Sequence, residues 1–217
     1  MANEFAIIEQ YFTGIGKSAA TTLLGIGDDA AVVEVPHGQQ LVVCMDTLIA
    51  GRHFPQDTSP ADIAYKSLAV NLSDLAAMGA SPAWFQMSLT LEKEDPHWLS
   101  QFADGLKQTA DNFGLQLIGG DTCRGELAIS IQIAGYVPSG QYVRRAGAAP
   151  GDIILVSGEL GNAALGLADK QGALELSPAL RAKCTLALDR PLPRLELTPF
   201  LRRFASSAID ISDGLVG

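Results

Sequence analysis

The sequence is short of the residues that build disulfide scaffolds, zinc sites, membrane spans and nucleic-acid surfaces. It has three cysteines, Cys44, Cys123 and Cys184, odd in number, far apart and without a CxxC pair. That excludes a disulfide framework and a thiolate zinc site, and it fits a reducing cytoplasm. No apolar run reaches the 18 residues that span a bilayer, and the opening MANEFAIIEQYF has acids where a signal peptide carries positive charge. The reading is a soluble cytoplasmic protein with no membrane partner. Positive charge is also scarce, with 15 Lys and Arg against 24 Asp and Glu, a formal charge of -9. At an isoelectric point near 4.7 non-specific binding to nucleic acid is disfavoured, and an anionic ligand needs cations to help hold it.

Nucleotide-binding loops of the common kinds are missing too. GIGKS at 14–18 contains the GKS of a phosphate-binding loop, but the required first glycine falls at Tyr11 and a helix precedes it instead of a strand. GIG at 25–27 has neither the third glycine nor the following helix of a dinucleotide fingerprint. There is no Ser-His-Asp or Cys-His device.

What is present is a chain of 217 residues, 47% hydrophobic and 18% charged, long enough for two ordinary domains with a core each. Asn3 with Phe5, Ile8 and Phe12 predicts a short helix ending at Gly14. AAVVEV and QLVVCMD, separated by PHGQ, predict a hairpin. Ser59 as cap, Pro60 at the first position and Gly79 as stop predict a helix through AYKSLAVNLSDLAA. PAWFQMSLTL alternates as a half-buried strand, and 95–114 is a helix stopped by Gly114. LQLIGG and ELAISIQIAGYV complete the block as strands. A Gly- and Ala-rich stretch at 139–152 marks a boundary between a first domain, 1–140, and a second, 149–217. In the second, IILVSG and SAIDIS read as strands, and the segments around GNAALGLAD, SPALRAKCTLALD and PRLELTPFLRRFA as helices. The fold class is α+β: a mostly antiparallel sheet with helices on one face, followed by the start of an α/β domain.

Aspartates recur at the ends of apolar elements: Asp28 and Asp29, Asp46, Asp74, Asp121, Asp210 and Asp213. Singly each reads as a turn residue or cap. Together they read as a cluster that only protonation or bound cations make tolerable. Oxygen ligands select hard ions, so Mg²⁺ carrying a nucleoside triphosphate is the natural partner. The face shared by Asn71 and Asp74 is either a metal face or a hydrogen-bonded core patch. His53, Lys66 and the pair Arg144 and Arg145 are further polar candidates, the arginines as a phosphate clamp. SGELGNAALG is a turn that either cradles phosphate or permits tight packing.

GIGDDAAVV, MDTL with AGRHF, AYKSLAVNLSDLAAMGASP, LIGGDT, RRAGAAPGD and SSAIDISDGL, in this order, closely resemble bacterial thiamine-monophosphate kinases of the aminoimidazole-ribotide-synthetase-like superfamily. The resemblance covers essentially the whole chain. It implies ATP-dependent phosphorylation of thiamine monophosphate to thiamine diphosphate by a homodimer that pairs its N-terminal sheets and uses several Mg²⁺ ions. Carried over by motif, it implies Asp29, Asp46, Asp74, Asp121, Asp210 and Asp213 as metal ligands. Gly120, Asp121, Arg145 and Ser212 would contact ATP, and His53 the thiamine phosphate. A phosphate acceptor with second pKa near ~6 is already largely dianionic, so no strong base is required.

Two departures stand out. Met45 occupies a position where the family usually has a threonine able to offer a metal oxygen. Family members also continue past SDGL with a GGEDYE-like segment and a substrate-binding region, so the 217 residues are expected to be C-terminally truncated and catalytically incomplete. The competing readings are another ATP-using member of the superfamily, and a non-catalytic dimeric module that binds Mg-nucleotide.

Overall fold

The computed structural model describes residues 4–212 and 214–215. Its N-terminal part is built on a four-stranded sheet. The strands are Gln39–Ile49 (β3), Ser81–Leu91 (β4), Gln116–Arg124 (β5) and Ala128–Pro138 (β6), in the order β3-β6-β4-β5. β6 is antiparallel to both neighbours, while β4 and β5 run parallel, because the helix Pro96–Phe113 (α3) connects them as a crossover. The predicted class holds for this part: a mostly antiparallel sheet with helices on one face.

The two long helices start and stop where the sequence says. Pro60–Ala77 (α2) is capped by Ser59, whose Oγ accepts from the Asp62 N–H at 3.1 Å and donates to the Asp62 carboxylate at 2.7 Å. In α3 the Asp95 carboxylate accepts from the N–H groups of His97 and Trp98, and Gly114 closes the helix at φ +69°. Leu68, Leu72 and Leu75 of α2 and Leu99, Phe102 and Leu106 of α3 pack with Phe85, Met87, Leu89, Ile129, Ile131 and Ile133 of the sheet into one core. Each such side chain contributes about 1.5–3 kcal/mol. The short helix Glu4–Ile7 (α1) continues as one π-helical turn, Ile8–Phe12, and buries Phe12 against Phe102. Its predicted cap, Asn3, lies outside the described residues.

The expected hairpin between AAVVEV and QLVVCMD does not form. Val32–Val33 (β2) pairs instead with Thr22–Leu24 (β1), and β3 pairs along its whole length with β6. The PHGQ turn reverses the chain, but β6 presents an eleven-residue apolar partner that a two-residue strand cannot match. The β1–β2 ribbon covers only part of the sheet face turned away from the helices, where Ala31 and Val33 meet Trp84, Ile118 and Ala134. Beyond it Leu41, Val43, Met45 and Ile49 of β3 remain exposed, Met45 at 62%.

The C-terminal part contains Asn162–Lys170 (α4), Pro178–Asp189 (α5) and Thr198–Phe204 (α6), the last entered through a 3₁₀ turn, Leu195–Leu197. The strands expected over 153–158 and 207–212 are not formed among the described residues. Both segments are unladdered, and Ile153 and Ile154 stand 85% and 86% exposed; an apolar run becomes a strand only where a neighbour takes up its backbone groups. Contacts tie this part to α2: Arg190 bonds Asp62 at 2.5 Å and lies 5.3 Å from the centre of the Tyr65 ring, and Arg202 donates to the Gly79 carbonyl.

Candidate active site

Three of the predicted aspartates converge from three separate elements. Asp46 belongs to β3, where alternation puts Val42, Cys44, Asp46 and Leu48 on the helix-facing side. Asp74 lies in the last turn of α2. Asp210 arrives on the segment after α6, which is fastened by an Ala208 N–H bond to the Arg144 carbonyl at 3.1 Å. Gly147 admits that segment, since a Cβ there would meet the Ser206 carbonyl.

The three carboxylates act on one another. Burial, followed by the charges of Asp210 and Asp46, pushes Asp74 up to about 6, against a partial offset from the Cys44 thiol and Arg145. Asp46 is raised by burial and then by Asp210, with His53 pulling the other way. Burial and the same three acids, Asp74 foremost, drive the Cys44 thiol far up, so it stays protonated. It is a hydrogen-bond donor here, lying 3.5 Å from the Asn71 carbonyl. Met45, next to it, points to the other face and is exposed.

Asn71 and Asp74 divide the two roles left open for their face. Asn71 is fully buried and bonds back to the Ser67 carbonyl at 3.0 Å, a core patch, while Asp74 joins the acids. Arg145 is exposed and close enough to Asp74 to favour its ionised form. Asp29 stands exposed in the turn between β1 and β2. Asp121 sits on β5 in register with Ser88, and through Ser88 with Ser130 and Thr47. That row lies on the sheet face opposite Asp46, and β3 and β5 are the two edges, roughly 14 Å apart across three strand spacings. Gly120, at φ +156°, lets β5 close against the Met87 backbone, where any Cβ would collide. Ser212 is exposed, and Asp213 lies outside the described residues.

All the donors are oxygens, and burial together with the neighbouring carboxylates makes two of them hold their protons more tightly than usual, which fits a site for a hard divalent cation. Among the described residues no three His, Cys, Asp or Glu side chains close on a single point. Mg²⁺ keeps several waters and takes one or two carboxylates, so it does not require three side chains at one point.

His53 lines a cleft of about 200 Å³ with Gly51, Phe54, Asp57, Lys170 and Leu188, where the end of β3 meets α4 and α5. Its Nδ1 accepts from the Ile49 N–H at 3.0 Å, and Lys66 Nζ donates to its carbonyl at 2.9 Å. Composition treats Lys66 as a solvated lysine; only the tertiary structure ties it to His53. A larger open groove of about 650 Å³, lined by Ser59, Gln101, Lys107 and Asp111, contains none of the predicted site residues.

Residues 27–137, the core of the sheet and α2, match the family "AIR synthase related protein, N-terminal domain". The thiamine-monophosphate kinase of Salmonella typhimurium is 48% identical over 98% of this chain. The chain belongs to the thiamine-monophosphate kinase branch of the AIR synthase related family. It spans 66% of the length of the Salmonella family member. A crystal structure of the thiamine-monophosphate kinase from Stenotrophomonas maltophilia K279a superposes with a TM-score of 0.84 at 48% identity, covering 91% of this chain and 64% of that one. The structure of AaThiL complexed with AMPPCP and TMP matches with a TM-score of 0.78 at 28% identity, over 98% of this chain and 65% of that one. The AIR synthase related fold therefore accounts for the sheet that carries Asp46 and for the helix that carries Asp74. Among the described residues no helix is long and apolar enough to cross a membrane, and Cys44, Cys123 and Cys184 are all free thiols.

Proposed function

We propose that this protein transfers the γ-phosphoryl group of ATP to thiamine monophosphate, giving thiamine diphosphate, in a reducing cytoplasm. The observation that carries the reading is the convergence of Asp46, Asp74 and Asp210, where burial first and then the neighbouring carboxylates lift Asp74 to about 6. A fold does not keep such a cluster half-buried for stability, because each charge raises the cost of the others. A bound Mg²⁺ supplies the missing positive charge and neutralises negative charge between nucleotide and acceptor phosphates.

The chain's own residues then have defined tasks. Asp46, Asp74 and Asp210, with Asp29, Asp121 and Asp213, hold several ions. Arg145 and Ser212 engage the triphosphate, and the Gly120–Asp121 strand gives its backbone close approach. His53 meets the phosphate of thiamine monophosphate from the cleft. An acceptor that is already a dianion needs positioning rather than deprotonation, which fits a site without a dedicated base. Residues 1–140 and 149–217 act as two domains with the reaction at their junction.

The protein works as a homodimer. The exposed apolar row of β3 and the position of β3 and β5 at the sheet edges, β5 being bonded by residues 15–17 only at its start, support a second copy closing against the uncovered face. Placing β3 of one copy beside β5 of the other brings the strand that carries Asp121 of the second copy next to the strand that carries Asp46, an adjacency a single chain does not have. The enzymatic reading is tested by incubating the protein with ATP, Mg²⁺ and thiamine monophosphate and resolving products by chromatography. The 217 residues alone are expected to bind Mg-nucleotide with little turnover, and the same residues in a chain of the relatives' full length to form thiamine diphosphate with Mg²⁺; nucleotide binding with no phosphorylated thiamine product from that longer chain sinks the reading.

A further inference from the structure

His53 is held by three bonds that leave one ring atom free. Its N–H donates to the Ile49 carbonyl at 2.9 Å, and its Nδ1 accepts from the Ile49 N–H at 3.0 Å. Its carbonyl accepts from Lys66 Nζ at 2.9 Å. The turn is closed again by the Gly51 N–H on the Phe54 carbonyl. A ring nitrogen that accepts a hydrogen bond carries no proton, so the neutral imidazole has its proton on Nε2. Among the described residues no protein group bonds Nε2, and the residue lines the cleft.

Lys66 occupies an unusual place for a lysine. It projects from the apolar stretch of α2 and is half-buried, with burial lowering its basicity, Asp189 opposing that and Lys170 adding to it. Asp189 is itself neutralised by Lys170 at 3.1 Å. The Lys66 ammonium therefore has the His53 carbonyl as its near partner, thirteen residues away in sequence.

We propose that Lys66 is a positioning residue: by clamping the His53 carbonyl it fixes the 49–54 turn, so that His53 offers an Nε2–H donor to an anionic phosphate oxygen of the acceptor. The clamp rests on the reading of His53 as the acceptor-phosphate contact, but its geometry stands on the turn alone. A donor held in one tautomer suits a phosphate monoester, which is all acceptor, and gives nothing extra to the same molecule without its phosphate.

The test uses the 217-residue chain. Long-range ¹H–¹⁵N spectra resolve the ring nitrogens of its three histidines, His37, His53 and His97. In the unaltered protein His53 is expected as a single Nε2–H tautomer. Lys66→Met keeps the stem length and removes the donor; it is expected to give a tautomer-averaged His53 and to weaken binding of thiamine monophosphate about tenfold. Binding of thiamine, which has no phosphate, is expected to change less than about twofold. Lys66→Gln retains a donor and is expected to restore part of the difference; it also decides the matter if the methionine variant does not fold. An Nδ1–H pattern in the unaltered protein, or a single Nε2–H pattern that survives Lys66→Met, overturns the proposal. The spectra decide this even if thiamine monophosphate proves not to be the acceptor, in which case the enzymatic reading fails and the clamp does not.

Discussion

At the scale of single residues, Asp74 combines a cost and a use. Its carboxyl titrates at about 6 in the folded protein against 3.8 for the ordinary side chain. The folded state thus holds this proton more tightly than the unfolded one. The stability that follows is complete below pH 3.8 and lost as pH rises through 6. At pH 7.5 the ionised group is a liability, and Asp74→Asn is expected to stabilise the metal-free protein by about 1 kcal/mol, a value reduced for the partial exposure of the site. At pH 3.5 the two proteins should match. Urea unfolding at the two pH values measures this, and an asparagine variant less stable than its parent at pH 7.5 would contradict it. Added Mg²⁺ should raise the melting temperature of the parent at pH 7.5 and leave that of Asp74→Asn nearly unmoved.

At the scale of elements, legibility followed the range of the interactions. α2 and α3 could be read in the sequence because their caps and stops are local: Ser59 with Asp62, Asp95 with the next two N–H groups, Gly114 at φ +69°. The hairpin could not, because the partner of β3 lies some ninety residues on and wins by the length of the ladder, which no local turn signal encodes. The two expected strands in the C-terminal part fail in the same way, since their apolar runs say nothing about which backbone would pair with them. The packing of α2 on α3 is a further nonlocal feature. It depends on Gly105, where a Cβ would stand 2.7 Å from the Ala61 Cα of α2. Gly105→Ala has favourable helix propensity but must push the two helices apart. It is expected to lose on the order of 1–3 kcal/mol, read as a lower urea midpoint with little change in slope. A stabilised variant would show that the helices part at no cost.

At the scale of the whole molecule, the sequence marked the acids but not their grouping. Asp46, Asp74 and Asp210 meet because β3, α2 and the segment after α6 fold together, whereas Asp121 lies at the far edge on the other face. That separation bears on the assembly. If two copies pair their sheets edge to edge, the strand that carries Asp121 of each lies next to the strand that carries Asp46 of the other, and a site built this way needs both chains. Met45→Asp, a charge on the exposed apolar row, is expected to give a folded monomer by sedimentation, since the side chain is 62% exposed in one chain. Mixing then separates a shared site from a self-contained one. Asp74→Asn and Asp121→Asn chains, each deficient alone, combine at random into dimers of which about half are mixed, and each mixed dimer has one intact shared site. Titration with a nonhydrolysable ATP analogue and Mg²⁺ should then recover about one quarter of the parent's sites. If each chain completes its own site, every chain in the mixture lacks one ligand and nothing is recovered, so the fraction regained reports directly whether Asp121 serves its own chain or its partner.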